Sequence, residues 1–309
     1  MPPKRSSSPN PLQIVEIKPS HDMKHKKVKH PVLPQHEFSL LIVAAKGSGK
    51  TNLICNLLLN QYKGYFHRVI VCSPTVANDP KWERVKNTDR ILCENKQLNK
   101  ILGQQLERDG KRLGPLVHES ERAALDKDAK KKTTDDGYDG RLPESDFISY
   151  MDEIKPLLQK QLDDIAKLVE LGYKEEAKYL IDRVLVIEDD QAGMYKGGNN
   201  NNEQVNFTIK HRHYGTSLVK VTQAYKAIPK SIRTNMNALI CFEIPNLAEL
   251  EVIYEEWPMS MVREEWMRVF RHCTEDPFDF IYFNTHFPKG ARVYHQFKEK
   301  IELHATDTA

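Results

Sequence analysis

The chain has 309 residues, 39% of them hydrophobic, and a mean hydropathy of −0.60, enough for one large core or two smaller ones under a highly charged surface. No apolar run approaches the roughly 18 to 20 residues that cross a bilayer, and the opening MPPKRSSSPNP lacks the apolar stretch of a signal peptide, so neither a membrane span nor secretion is expected. The formal net charge of +3 is uneven: residues 1–36 hold seven Lys/Arg against two acids, leaving the remainder at −2.

Residues 1–36 are rich in Pro, Ser, Lys and His with few large apolar side chains, which predicts a disordered basic tail. Its KHKKVKH stretch (24–30) suits phosphate contact, a nuclear address or plain solvation, and composition does not choose among them.

The segment 38–60, FSLLIVAAKGSGKTNLICNLLLN, follows. A short apolar strand breaks into a Gly/Ser loop and then into apolar helical spacing at Leu53, Ile54, Leu57 and Leu58. Strand, glycine loop, Gly-Lys-Thr and helix is the order of a phosphate-binding P-loop. Glycines let backbone N–H groups turn around an anion, and the new helix aims its positive end at it. The cradle is Lys46, Gly47, Ser48, Gly49, Lys50 and Thr51: Lys50 reaches β- and γ-phosphates and the Thr51 hydroxyl ligates Mg²⁺. Ala44 stands where the usual pattern has its first glycine, which requires a negative φ or a reshaped turn.

RVIVCSPT (68–75) reads as a second buried parallel strand. About 87–146 is charged and glycine-punctuated, an expected insertion within an ATPase domain running over 37–300. Leu158, Leu162, Ile165, Leu168 and Val169 mark one or two helices, with a break at Gly172. VLVIEDDQAG (184–193) is a buried strand with three acids at its end, and Gly197 to Asn202 is a surface loop. SLVKVTQ (217–223) and ALICFEIPN (238–246) are further strands, and 247–256 and 259–272 are helices. Two strand-like runs about a Pro-Lys-Gly turn (278–297) form a hairpin before a short tail, 301–309. Strands alternating with helices predict a mostly parallel α/β sheet with the ligand at the strands' C-terminal ends. The five cysteines, Cys55, Cys72, Cys93, Cys241 and Cys273, are odd in number and without a C-x-x-C pair, as free thiols would be.

A P-loop needs a metal ligand and a group that orients the attacking water, and VLVIEDD has the form of that second element. One register takes Asp189 as the metal-side residue and Asp190 as the base, with Glu188 on the opposite face; the shifted register uses Glu188 and Asp189. Gln223 ends a neighbouring strand, where its amide either senses the γ-phosphate or closes a turn. Arg212 and Arg233 are candidates for an arginine finger that acts across a subunit boundary. The loop Tyr195–Asn202 with Lys196, and Lys210 or His211, are candidate DNA contacts. No N-K-x-D motif follows the P-loop, which argues against a GTPase switch: Asn95 and Lys96 are followed by Gln97 and Leu98.

In order, these pieces resemble the poxvirus-type genome-packaging ATPases of the FtsK–HerA superfamily, found in large and mid-sized double-stranded DNA viruses, virophages and virus-like transposons. The resemblance covers roughly residues 36–300. Its most specific part is Arg212, His213, Ser217 and Gln223 followed by IPKSIR. It implies a RecA-like ATPase using ATP and Mg²⁺, with Lys50 and Thr51 on phosphate and metal, Asp189 and Asp190 as the Walker B pair and Gln223 as sensor. It also implies a homo-oligomeric ring, hexamer or pentamer, that drives double-stranded DNA into a capsid through a portal-equivalent protein. Such an enzyme works in the host cytoplasm or nucleus where virions assemble. Another FtsK–HerA-type translocase, a helicase or a weakly hydrolysing scaffold is the alternative.

Overall fold

The structure is a computed structural model that describes residues 27–73, 79–86, 183–190, 203–257 and 261–302, with single positions between 159 and 172. The charged insertion, most of the helical stretch before β3, the loop holding Lys196, Cys93 and the outer parts of both tails lie outside the described residues.

Eight strands form one sheet in the order β2-β3-β4-β1-β5-β6-β7-β8. Five are mutually parallel: β1 (Ser39–Val43), β2 (Arg68–Cys72), β3 (Val184–Asp189), β4 (Thr216–Thr222) and β5 (Ala238–Cys241). The antiparallel edge is β6 (Ile281–Asn284), β7 (Val293–His295) and β8 (Glu299–Lys300). The expected hairpin is β6–β7, turned at Lys289–Ala291; β8 was too short and too charged to read from sequence.

Residues of period two on β1 separate the two cores. Leu40 and Ile42 face the helix α1 (Lys50–Asn56), joined by Leu185, Ile187, Val219, Val221 and Ile240. Leu41 and Val43 face the opposite way, against Ile253 of α5 (Leu247–Glu256) and Trp266 and Phe270 of α6 (Arg263–Cys273). Three other helices are described: α2 (Pro80–Lys86), α3 (Glu203–Lys210) and α4 (Lys230–Arg233). Because both faces are covered, the central strands carry near-continuous apolar runs. After α1 the chain widens into a π-turn at Leu57–Gln61, which places Leu57 and Leu58 in the core beside Tyr62.

Part of the expected tail is packed. Val28 and Leu33 are buried in the α1-side core, Tyr62 donates its hydroxyl hydrogen to the Pro34 carbonyl, and Tyr282 donates to that of Val32. Val32 packs against the same core, and the two aromatic hydroxyls satisfy part of the segment's backbone as well. Cys55, Cys72, Cys241 and Cys273 are buried free thiols. Among the described residues no helix is long and apolar enough to cross a membrane.

Candidate functional site

At the end of β1 the chain leaves the sheet without losing its pairing, since the Ala44 N–H donates to the Thr222 carbonyl. Ala44 is fully buried and is not among the residues with positive φ, so no glycine is needed there. The left-handed turns fall at Gly47 (φ 84°) and Gly49 (φ 93°) instead. Between them Ser48 closes on Ala45 through its N–H at 3.3 Å and its hydroxyl at 2.7 Å. The Leu53 N–H then bonds the Gly49 carbonyl, and α1 begins with no acidic residue in its first turn, an electrostatic opening for an anion.

β3 supplies the acids. Its alternation sends Leu185, Ile187 and Asp189 to the face that carries α1, and Val184, Val186 and Glu188 to the other. Lys50 Nζ lies 2.7 Å from Asp190 Oδ2 and 3.7 Å from Asp189 Oδ1. Asp190 has φ 54°, a left-handed conformation that Asp tolerates, and follows directly on the strand. Gln223 sits just past β4 and donates its amide hydrogen to the same Asp190 Oδ2 at 3.2 Å. Ser73, beyond β2, donates its hydroxyl hydrogen to Asp189 Oδ2 at 3.3 Å. Three strand ends and the glycine loop therefore converge on two carboxylates.

Asp189 is 2% exposed, and burial pushes its carboxyl above the usual range; Lys50 opposes that shift and Asp190 adds to it. Its Oδ1 is buried without a hydrogen bond and lies 3.7 Å from Lys50 Nζ. A buried carboxylate oxygen short of a hydrogen bond is the kind of hard oxygen donor that Mg²⁺ takes. No cluster of three or more His, Cys, Asp or Glu side chains suited to a metal occurs among the described residues.

The remaining candidates are placed elsewhere. Glu188 is buried against Lys220, its register partner on β4, with Nζ 2.5 Å from Oε2 and both side chains 1% exposed. It does not meet Lys50's group of acids. Arg233 is 9% exposed and forks onto Glu256, with its Nη1–H donated to the Ile228 carbonyl and its guanidinium 4.8 Å from the Tyr225 ring centroid. Those contacts are all made within its own chain. Arg212 is exposed. It precedes β4, whose seven residues rise about 20 Å, so it lies at the sheet end opposite the acids of its own chain. His211 is buried, with Nδ1 2.6 Å from the Thr216 carbonyl, and burial lowers its pKa to about 4. Lys210, the other candidate named beside it, is exposed. Lys46 and Gly47 are exposed; Ser48, Gly49, Lys50 and Thr51 are half-buried.

Sequence reasoning missed Ser73 and Lys220. Lys220 left a signal, a lone cation inside an apolar strand on the same face as Leu218, which demands a buried anion on a neighbouring strand. Ser217, quoted in the family resemblance, accepts the Phe38 N–H and lies 2.7 Å from His36 Nδ1, which ties the entry of β1 to β4.

A mostly parallel sheet, a P-loop at the end of β1 and two carboxylates at the end of β3, one strand removed from it across β4, define a P-loop ATPase. Residues 144–297, just under half of the chain, match the family described as Poxvirus A32 protein. No curated protein matches the chain. Among solved structures, the DNA-packaging ATPase B204 from Sulfolobus turreted icosahedral virus is similar at 12% identity, over 86% of this chain and 98% of that one, with a TM-score of 0.46. The genome packaging NTPase B204 from Sulfolobus turreted icosahedral virus 2, in complex with ATPγS, is similar at 14% identity over 81% and 92%, with a TM-score of 0.43. The conjugation coupling protein TcpA of pCW3 is similar at 15% identity over 88% and 62%, with a TM-score of 0.39.

Proposed function

We propose that the chain is an ATP-hydrolysing motor that moves double-stranded DNA into a viral capsid, and that it works as a homo-oligomeric ring. The observation that carries the reading is the meeting of Lys50 with Asp189 and Asp190, with the Gln223 amide on the same Asp190 oxygen. Lys50 supplies positive charge to the β- and γ-phosphates held on the N–H groups of Lys46 to Thr51. Asp190, half-exposed and unburdened by the sheet interior, accepts the proton of the attacking water, while Gln223 registers its state from the tip of β4. Thr51 and Asp189 would hold Mg²⁺, which neutralises charge developing on the phosphate oxygens.

Charge developing on the transferring phosphate is stabilised by a further cation, and Arg212, exposed at the far end of β4, would supply it to a neighbouring subunit's site. The poxvirus A32 match supports packaging as the task, and with it a capsid or portal-equivalent partner and a place at virion assembly. A translocase holds the phosphate backbone without reading bases, and exposed Lys210 is one residue available for that contact.

The test is ATP hydrolysis with and without double-stranded DNA in wild type, Lys50→Ala and Asp190→Asn. Hydrolysis stimulated by duplex DNA and lost in both variants is the expected result. Turnover that ignores duplex DNA at every salt concentration would sink the motor reading and leave a nucleotide-dependent scaffold in its place.

A further inference from the structure

One bulky side chain stands against the P-loop with no role in the chemistry above. Phe278 is 65% exposed, yet its ring packs onto Gly49: a Cβ built on that glycine would lie 2.9 Å from the ring's Cδ1. It also has φ 71°, a left-handed conformation in which an aromatic residue is a genuine outlier. Hydrophobic burial does not explain this ring, and neither does backbone preference.

The surrounding contacts hold it there. Asp279 accepts hydrogen bonds from His295 Nε2 at 2.9 Å and Gln296 Nε2 at 2.5 Å, and its N–H donates to the Asp276 carbonyl. On the other side Phe280 is buried against Phe242 and Phe297. Phe278 is thus the raised tip of a loop pinned at both flanks by β7 and the core, with one edge on the phosphate cradle and much of its ring open to solvent.

We propose that Phe278 is the nucleobase platform of this site: the base of a nucleoside triphosphate stacks on its ring while the phosphates lie on Lys46 to Thr51. The assignment rests on the nucleotide reading of that cradle. Its physical content is adjacency. A base hangs from the α-phosphate through a single ribose, so its platform must border the cradle and keep one side free, and Phe278 does both. Stacking is tolerant of base identity because every base presents a π-face.

The experiment measures equilibrium binding of ATP and of inorganic tripolyphosphate to the full chain and to Phe278→Ala, Phe278→Trp and Lys50→Ala. Phe278→Ala should weaken ATP by about 5- to 150-fold, the range of a lost base–aromatic stack, and leave tripolyphosphate unchanged. Phe278→Trp should restore ATP binding. Unchanged ATP affinity in Phe278→Ala overturns the platform, as does an equal loss for both ligands, which would mean that the ring only braces the glycine loop. A wild-type chain that binds neither ligand, or a Lys50→Ala chain that binds both normally, overturns the cradle reading and the platform together.

Discussion

Glu188 and Lys220 show how far a residue's company decides its role. Both are charged, adjacent across β3 and β4, and 1% exposed. Removing two charges from water is costly, and their mutual attraction offsets that cost only while both are present. Lys220→Met alone should therefore destabilise the fold by about 3–5 kcal/mol, because it removes the cation paired with a buried carboxylate. The double variant Glu188→Leu with Lys220→Met should recover most of that loss. Urea unfolding of the three chains decides it: a double variant no more stable than the single one would mean that the pair has a further partner. Asp189, one residue on, faces Lys50 and a serine hydroxyl instead and keeps an oxygen free of hydrogen bonds. A single step along the strand separates an acid paired inside the sheet from one that faces the P-loop lysine.

At the scale of elements, Arg233 joins α4 to α5. Its fork onto Glu256, which also accepts from the Tyr225 hydroxyl, couples the helix before β5 to the helix after it, and Trp257 Nε1 donates to that same hydroxyl. Hydrogen bonding to Glu256 raises the Arg233 pKa, and the same bonds lower that of Glu256. Both shifts favour the ionised pair, so its stabilisation is present above the ordinary carboxylate range and is lost as pH falls through the depressed Glu256 pKa. Arg233→Ala should cost about 3–5 kcal/mol, as breaking a partly buried pair does, and thermal unfolding at neutral pH measures it. A normal melting profile accompanied by loss of hydrolysis would return Arg233 to the role of a finger.

For the whole molecule, the parallel sheet has two chemically different ends. The C-terminal ends of β1, β3 and β4 hold the cradle, the acids and Gln223; the N-terminal end of β4 holds Arg212. In the proposed ring, one subunit's Arg212 would be brought to another's acids. Chains carrying Arg212→Ala and chains carrying Lys50→Ala should each be inactive alone and should recover hydrolysis on mixing, because some boundaries then pair an intact cradle with an intact arginine. Mixed subunits that stay inactive while still assembling would exclude Arg212 from the neighbour's site.

Much of this arrangement was legible in the residues because it is written in local patterns. The strand–glycine–Gly-Lys-Thr–helix order, the β-branched runs of β2 to β5 and the helices at 247–256 and 263–273 all depend on periodicity and turn chemistry within a few residues. The nucleotide loop and the acidic strand end belong to that class. What stayed hidden depends on contacts between distant segments. The order of the strands decides that β3 sits between β2 and β4, and only then does Glu188 meet Lys220 and Asp189 meet Ser73. Arg212 and Arg233 are indistinguishable as letters; a carboxylate 23 residues away holds one of them inside the fold and leaves the other at the surface. Phe278 reads as one more aromatic before a strand until the antiparallel edge folds its loop back onto Gly49. Local sequence thus specifies which chemistry the chain carries, while the folded sheet specifies which residues share it, because side-chain electrostatics and burial depend on neighbours that sequence distance does not reveal.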